Sequence, residues 1–198
     1  MMNRRNFLVT ATATMATAAT YAHAQDFPSV ADVLFDPQIP VLGNPNGDVT
    51  VVEFFDYQCP YCKANHPDLL DVVKKDGYVR LVMKDWPIFG APSLYASNLV
   101  LAAGDDYEDA HKAIMKTKAR LTEDMIDEAL KSAGLDPEPL MTRYQNDRAR
   151  VDGIIDRNMA QASAFRFGGT PAFLFNTKIY QGALSRSDIK AAVEMARS

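Results

Sequence analysis

The chain has 198 residues, 47% of them hydrophobic, and carries 21 Lys plus Arg against 25 Asp plus Glu, for a net charge of −4. An acidic balance with no basic tract excludes nucleic acid and an anionic membrane surface as the principal partner. Beyond the N-terminal segment there is no internal repeat or low-complexity stretch, so the length suits one domain with a real core or a small fold carrying an insertion.

Residues 1–24 read as an export signal. Arg4 and Arg5 come without any acid, a short alanine- and threonine-rich stretch follows, and Ala22-His23-Ala24 offers a small-residue cleavage site before Gln25. The apolar stretch is too short and too broken by threonines to favour a transmembrane anchor. Paired arginines suit both the general and the twin-arginine export routes. Either route takes the protein out of the cytoplasm into surroundings in which disulfides persist. Residues 25–46 form a lead punctuated by Pro28, Pro37, Pro40 and Pro45, expected to run extended over the surface.

The β-branched and aromatic run Val49-Thr50-Val51-Val52-Glu53-Phe54-Phe55 predicts a strand over 49–56. It leads into Cys59-Pro60-Tyr61-Cys62, which holds both cysteines of the chain. Pro60 suits the first position of a helix, where its missing N–H is not needed. Cys59 then sits at the N-cap, where the sulfur can accept from the N–H groups of Tyr61 and Cys62 at the positive end of the helix dipole. That location favours the nucleophilic thiolate, so Cys59 is expected to titrate below about 6.5, against about 8.5 for a free thiol. Cys62, one turn further in, becomes the resolving thiol. Tyr61 adds no cation beside the sulfur, which predicts an oxidant of intermediate strength.

The helix is expected from Pro60 to about Lys75 with a kink near Pro67. A second strand follows from Tyr78 to Lys84, parallel to the first because a helix connects them. From Ala91 to Arg166 the pattern is helical, with breaks at Gly104, near Leu121, at Gly134 and around Asp147. Thr122 and Asp136 read as helix starts and Gly134 as a stop. The last of these helices presents Val151, Ile154, Ile155, Met159 and Ala162 as a core stripe. Ala172–Phe175 and Ile179–Gln181 flank Asn176-Thr177-Lys178 as a hairpin, and Ser185 or Ser187 caps a closing amphipathic helix through Ile189, Val193 and Met195.

Gly168-Gly169-Thr170-Pro171-Ala172-Phe173 places a proline just before a strand, about 110 residues after the cysteines. The two motifs together resemble the thioredoxin fold, which implies an α/β architecture of βαβ-ββα order with an inserted α-helical domain. The implied division is 47–89 plus 168–198 for the thioredoxin-like part and 90–167 for the insertion. With Phe54 to Lys63, Lys84-Asp85-Trp86-Pro87-Ile88 and Gly169 to Phe173, the chain resembles the DsbA family of bacterial thiol-disulfide oxidoreductases, in its ScsC-like branch. The resemblance covers roughly Asp36 to Ser198. It implies that Pro171 is cis and faces Cys59, that the Thr170 backbone pairs with an incoming chain, and that Glu53 is a buried acid exchanging a proton with Cys62. Lys84 is a charge partner for Glu53 or an exposed strand lysine, and Phe89 and Phe167 are rim contacts for substrate.

The expected activity is thiol-disulfide exchange with exported proteins through Cys59 and Cys62, with Thr170, Pro171 and Glu53 completing the site. The resemblance implies a monomeric periplasmic oxidase, reoxidised by a membrane redox partner and needing no cofactor. A disulfide isomerase or reductase kept reduced, and a copper-binding redox protein, are the alternatives. His66, four residues after Cys62, invites a metal reading, but a closed zinc site wants four ligands and neither His111 nor His23 suits the fourth place, so no metal is expected. Cu(I) would accept two thiolates.

Overall fold

Every residue of β2 (Val49–Phe55) is buried, which marks it as the central strand. The computed structural model describes residues 27–118 and 120–198, so the expected signal at 1–24 lies outside the described residues. Five strands form one sheet in the order β1 (Val41–Gly43), β3 (Val79–Asp85), β2, β4 (Ala172–Phe175) and β5 (Lys178–Gln181). The strand β3 (Val79–Asp85) runs parallel to β2, with Glu53 opposite Met83, Phe54 opposite Lys84 and Phe55 opposite Asp85. The hairpin of β4 (Ala172–Phe175) and β5 (Lys178–Gln181) adds antiparallel strands on the other side of β2. Its two-residue turn places Asn176 at φ 51°, a left-handed conformation that asparagine tolerates.

The helix joining β2 to β3 is α2 (Pro60–Asp76), which runs through Pro67 as one element and ends at Gly77 with φ 75°. The closing helix α8 (Arg186–Arg197) is capped by Ser185, whose hydroxyl accepts from the Asp188 N–H in a reciprocal capping box. Both pack on the sheet face that carries Glu53 and Phe55. Of the apolar positions expected to face the core from α8, Met195 is instead exposed.

The lead departs from the expectation of an extended surface run. It holds a short helix, α1 (Val30–Leu34), and a strand, β1 (Val41–Gly43), that pairs antiparallel with β3. Ser29 and Asp32 form a capping box that starts α1, and Val33, Leu34, Ile39 and Leu42 are buried. The prolines punctuate these pieces without preventing them, because burying four aliphatic side chains outweighs the weak local preference of a five-residue helix. Gly43 closes β1 at φ 72°, where a Cβ would come within 2.6 Å of the Val79 carbonyl oxygen and of Val73.

The segment between β3 and β4 is a helical insertion: α3 (Ala91–Leu101), α4 (Tyr107–Met115), α5 (Glu123–Ser132), α6 (Pro137–Asn146) and α7 (Arg148–Ala164). Thr122 and Asp136 cap α5 and α6 as their sequence positions predict, and Gly134 adopts φ 80° between them. The helix α7 returns to the sheet on the face opposite α2. Val151, Ile154, Ile155 and Ala162 are buried there, whereas Met159, expected in the same stripe, is 44% exposed. Among the described residues no helix is long and apolar enough to cross a membrane.

Candidate active site

The turn from β2 into α2 places Cys59 at the N-cap and Pro60 at the first helical position. The Cys62 N–H donates to the Cys59 sulfur over 3.3 Å, and both cysteines are free thiols and buried. No acidic residue occupies the first turn of α2 to offset the dipole. The Cys59 thiol is lowered to about 6, first by the hydrogen bond from the Cys62 thiol, then by the Thr170 side chain and the N–H groups of Cys62 and Tyr61, all working against burial. Burial pushes Cys62 the other way, far above the usual thiol range, and the neighbouring thiol and Glu53 add to that shift. Two chemically identical groups one turn apart are thus separated into a ready thiolate and a held proton.

The Thr170–Pro171 peptide bond is cis. Its loop lies against the nucleophile: the Cys59 sulfur sits 3.3 Å from the Thr170 carbonyl oxygen. The Gly182 N–H bonds the Pro171 carbonyl and Gln181 reaches the Gly168 N–H, so the β5 end of the hairpin anchors this loop from behind. Pro171 is buried while Thr170 is only partly covered, leaving its backbone beside the sulfur within reach of an extended chain.

Glu53 is fully buried directly beneath this turn, and neither carboxylate oxygen has a hydrogen-bond partner. Desolvation, followed by the charge of Cys59, raises it to about 8. Lys84 is not its partner, nor is it exposed. The pairing of Phe54 with Lys84 puts the lysine on the opposite sheet face, where its ammonium lies 3.4 Å from Asn158 Oδ1 and 5.9 Å from the centre of the Phe54 ring. Alternation along a strand makes the two faces exclusive.

Three supporting residues escape a sequence reading. Buried Asp56 accepts from the Gln58 N–H at 2.6 Å, the Ser93 hydroxyl at 2.6 Å and the Phe89 N–H at 3.0 Å, while its own carbonyl accepts from the Cys59 N–H. It ties the cysteine turn to the loop after β3 and to the start of α3. Gln58 extends the tie by donating to the Phe89 carbonyl and accepting from the Leu121 N–H. Lys63, next to Cys62, points away from the sulfurs and donates to the Ile114 and Thr117 carbonyls, meeting the carbonyl-rich end of α4. Burial lowers this ammonium to about 8. The sequence signal for Asp56 is only its place three residues before Cys59 after a strand; its partners outside the turn, Phe89 and Ser93, come from sequence positions more than 30 residues away.

A groove of about 630 Å³ opens beside Cys59, lined by Gln58, Pro60, Phe89, Pro92, Arg120 and Leu121. Phe89 is half exposed on its rim. Phe167 is not on the rim: it is buried on the Lys84 face, 5.3 Å from Phe54 and 5.2 Å from Phe165 by ring centres. His66 turns away from a shared site with the sulfurs and packs its ring 4.8 Å from that of His111. Among the described residues no group of three or more His, Cys, Asp or Glu side chains is gathered as a metal site would require.

The strand-to-helix dithiol facing a cis-proline loop, on a βαβ-ββα sheet with a helical insertion, defines a class of thiol-exchange proteins. The family model described as Thioredoxin matches residues 36–195. A thioredoxin-like oxidoreductase from Silicibacter pomeroyi is 38% identical, with a TM-score of 0.81 over 86% of this chain and 98% of that one. The catalytic domain of Proteus mirabilis ScsC is 26% identical, with a TM-score of 0.75 over 84% and 93% of the two chains. Disulfide bond formation protein D of Bacillus subtilis is 24% identical over 169 residues, covering 78% of this chain and 75% of its own length. A putative protein-disulfide oxidoreductase of Rickettsia conorii is 27% identical over 79% of this chain, which spans only 59% of that protein. The chain belongs to the thioredoxin family as a DsbA-like thiol-disulfide oxidoreductase.

Proposed function

We propose that the chain is an exported oxidase that donates its disulfide to protein dithiols outside the cytoplasm. The observation that carries this reading is the split between Cys59, lowered to about 6, and the buried Cys62, raised above the usual range. A substrate thiolate attacks the Cys59 sulfur of the disulfide form, and the S–S electron pair leaves with Cys62, which takes a proton from Glu53. The substrate chain lies along the Thr170–Pro171 loop in the manner of an added strand. A second substrate thiolate then attacks the substrate sulfur of the mixed disulfide, releasing the oxidised product and the Cys59 thiolate. Because that thiolate is stable at neutral pH, the reduced enzyme is a comfortable end state. With a pKa near 6 instead of 9, the reduced form gains about tenfold at pH 7, or about 30 mV toward the oxidising side.

The export signal expected at 1–24 supports a periplasmic setting for this chemistry, as does the likeness, at 27% identity and TM-score 0.73, to a periplasmic thioredoxin-like protein from Salmonella. Return to the disulfide form is assigned to a membrane redox partner. The likeness to the ScsC catalytic domain, together with Thr170 before the proline, favours a second reading, an isomerase or reductase kept reduced. Equilibration against a glutathione series separates the two: a potential of about −120 to −200 mV supports the oxidase, and one near −270 mV the reductase. Anaerobic Cu(I) titration with a Cys62→Ser control tests the copper-binding alternative. Tight stoichiometric binding in a protein without thiol exchange would replace both enzymatic readings.

A further inference from the structure

The groove beside Cys59 has a single charged residue in its lining. Gln58 and Pro60, which bracket Cys59 in the chain, form one wall, so the groove adjoins the turn that carries the reacting sulfur. Phe89 and Pro92, around the start of α3, and Leu121, between α4 and α5, make it largely apolar, and Arg120 supplies the charge. Glu123 and Asp124 follow in the first turn of α5 but do not line it. The Asp56 carboxylate lies buried behind the wall and already accepts three hydrogen bonds.

One side chain builds this groove. The Gln58 carboxamide donates to the Phe89 carbonyl and the Ser93 hydroxyl, each at 3.0 Å, and accepts from the Leu121 N–H at 2.8 Å. The residue before the nucleophile thus holds both far walls and fixes the backbone next to Arg120. Arg120 itself adopts φ 63°, a left-handed conformation that costs an arginine more than a glycine. Its side chain is exposed and forms no ion pair with another described residue. Lys116 and Lys118, just before it, are exposed as well. In a chain of net charge −4 this loop is a local reversal of sign at the mouth of the site. A guanidinium has five donors, no acceptor and a fork that matches a carboxylate.

We propose that Arg120 selects protein substrates that carry an acidic side chain within a few residues of the reacting cysteine. The substrate lies across Phe89, Pro92 and Leu121, and its carboxylate meets the guanidinium. The inference rests on the thiol-exchange reading but not on its direction, since a substrate presents the same side chains to an oxidase and to a reductase. Arg120 takes no part in the covalent step. It speeds formation of the mixed disulfide by attracting and orienting the segment that brings the substrate sulfur to Cys59. Because the guanidinium is exposed, the preference is a modest one and is weakened by salt.

The test uses extended peptides with one cysteine and Glu, Gln or Lys at each of the three positions before and after it. Mixed-disulfide formation with the oxidised protein is followed by rapid quench and mass spectrometry at low and at high salt. At one or more positions Glu should react about fivefold faster than Gln and about tenfold faster than Lys, with the differences shrinking to about twofold or less at high salt. Arg120→Gln should remove the Glu over Gln preference, and Arg120→Glu should reverse the order of Glu and Lys, with the Cys59 titration unmoved in both. Arg120→Gly suits the left-handed backbone, so it should melt no lower than wild type and still lose the preference. Equal rates for the three side chains at every position in wild type overturn the inference, and so does an acid preference that survives in Arg120→Glu. Loss of the preference in Lys116→Gln or Lys118→Gln, with Arg120 intact, overturns the assignment to Arg120. Wild type that reacts with none of the peptides is a failure of the functional reading instead. Peptides with serine in place of cysteine then carry the test: NMR shifts at Arg120 and Leu121 should be larger with Glu than with Gln, and equal shifts overturn the selection.

Discussion

On one face of the sheet Glu53 and Asp85 are sealed from solvent with no hydrogen-bond partner on any carboxylate oxygen. On the other, Lys84 is equally buried but has Asn158 at 3.4 Å and the Phe54 ring beneath it, a ring itself packed among Trp86, Phe165 and Phe167. Burial raises Glu53 to about 8 and Asp85 to about 7, and lowers Lys84 to about 8. All three shifts favour the neutral form, yet only the lysine is given a partner. The face that packs against α2 keeps Glu53 free to gain and lose a proton beside the sulfurs. The face that packs against α7 absorbs its charge into the core. A buried ionisable group thus reads as functional when its hydrogen-bonding capacity is left open next to reacting atoms, and as structural when it is satisfied.

The largest effect that can break this contrast is loss of either thiol. Cys59→Ala should abolish exchange, and Cys62→Ala should accumulate mixed disulfides with substrate, visible by mass. Accumulation in neither variant would remove the assigned roles of nucleophile and resolver. Next comes Glu53. Its folded pKa, about 8 against 4.5 for the ordinary group, is raised, so its neutral form is fully favoured below pH 4.5 and that advantage is lost as pH climbs toward 8. In the oxidised protein, where Cys59 carries no charge and only desolvation acts, wild type should still lose stability relative to Glu53→Gln as pH rises from 4.5 to 8, by up to about 4 kcal/mol. Urea unfolding at a series of pH values measures it, and parallel curves for the two proteins would mean that the carboxylate is solvated. The same variant should slow the step in which Cys62 gains or loses its proton, while attack on Cys59 is spared.

How much of this was legible depended on whether the signal was local. The cysteine turn, the proline loop and the caps at Thr122, Asp136 and Ser185 are spelled out within a few residues, and each falls where the sequence puts it. The capping box Ser29-Val30-Ala31-Asp32 is equally local, but the surrounding prolines mask it, so the sequence suggests an extended lead where α1 and β1 form. Strand alternation puts Glu53 and Phe54 on opposite faces, yet it does not say which of them shares a face with Lys84. Only the register of β2 on β3 decides that, and register is a tertiary fact. The meeting of His66 with His111, and of Lys63 with the carbonyls ending α4, joins segments about 45–55 residues apart. Nothing in the helical periodicity of either segment announces its partner.

On the α7 face the expected effect is smaller and of opposite kind. The folded pKa of Lys84 lies below its ordinary value of 10.5, so the lysine disfavours folding at neutral pH and the penalty fades as pH rises from about 8 to 10.5. Lys84→Met replaces it with an apolar side chain of similar length and should stabilise the protein by about 2 kcal/mol at pH 7, with thiol exchange unchanged. Asn158→Leu should act in the reverse direction by stripping the lysine of its partner. Thermal unfolding of both variants checks the pair. Loss of exchange in Lys84→Met would show that the two faces are not independent after all.

The smallest expected effect lies at the rim of the catalytic face, far from the sulfurs. Arg197, in the last turn of α8, holds Asp48 before β2 with hydrogen bonds of 3.0–3.1 Å and Asp76 at the end of α2 with bonds of 2.6 and 2.8 Å. The guanidinium thus closes α8 onto the strand and helix that position Cys59, but it does so in partial contact with solvent, where Coulomb attraction is screened and two-charge contacts count for little. Arg197→Ala should cost about 1 kcal/mol in stability at low salt and less at 1 M salt, because the network of three charges gives more than an isolated surface pair without being desolvated. Reduction potential and exchange rate should not move, since the N–H groups that support the Cys59 thiolate belong to the opposite end of α2. A shift in potential on Arg197→Ala would mean that the far end of the helix controls the placement of its N-terminus, and the distinction between a chemical face and its structural surroundings would have to be redrawn along α2 itself.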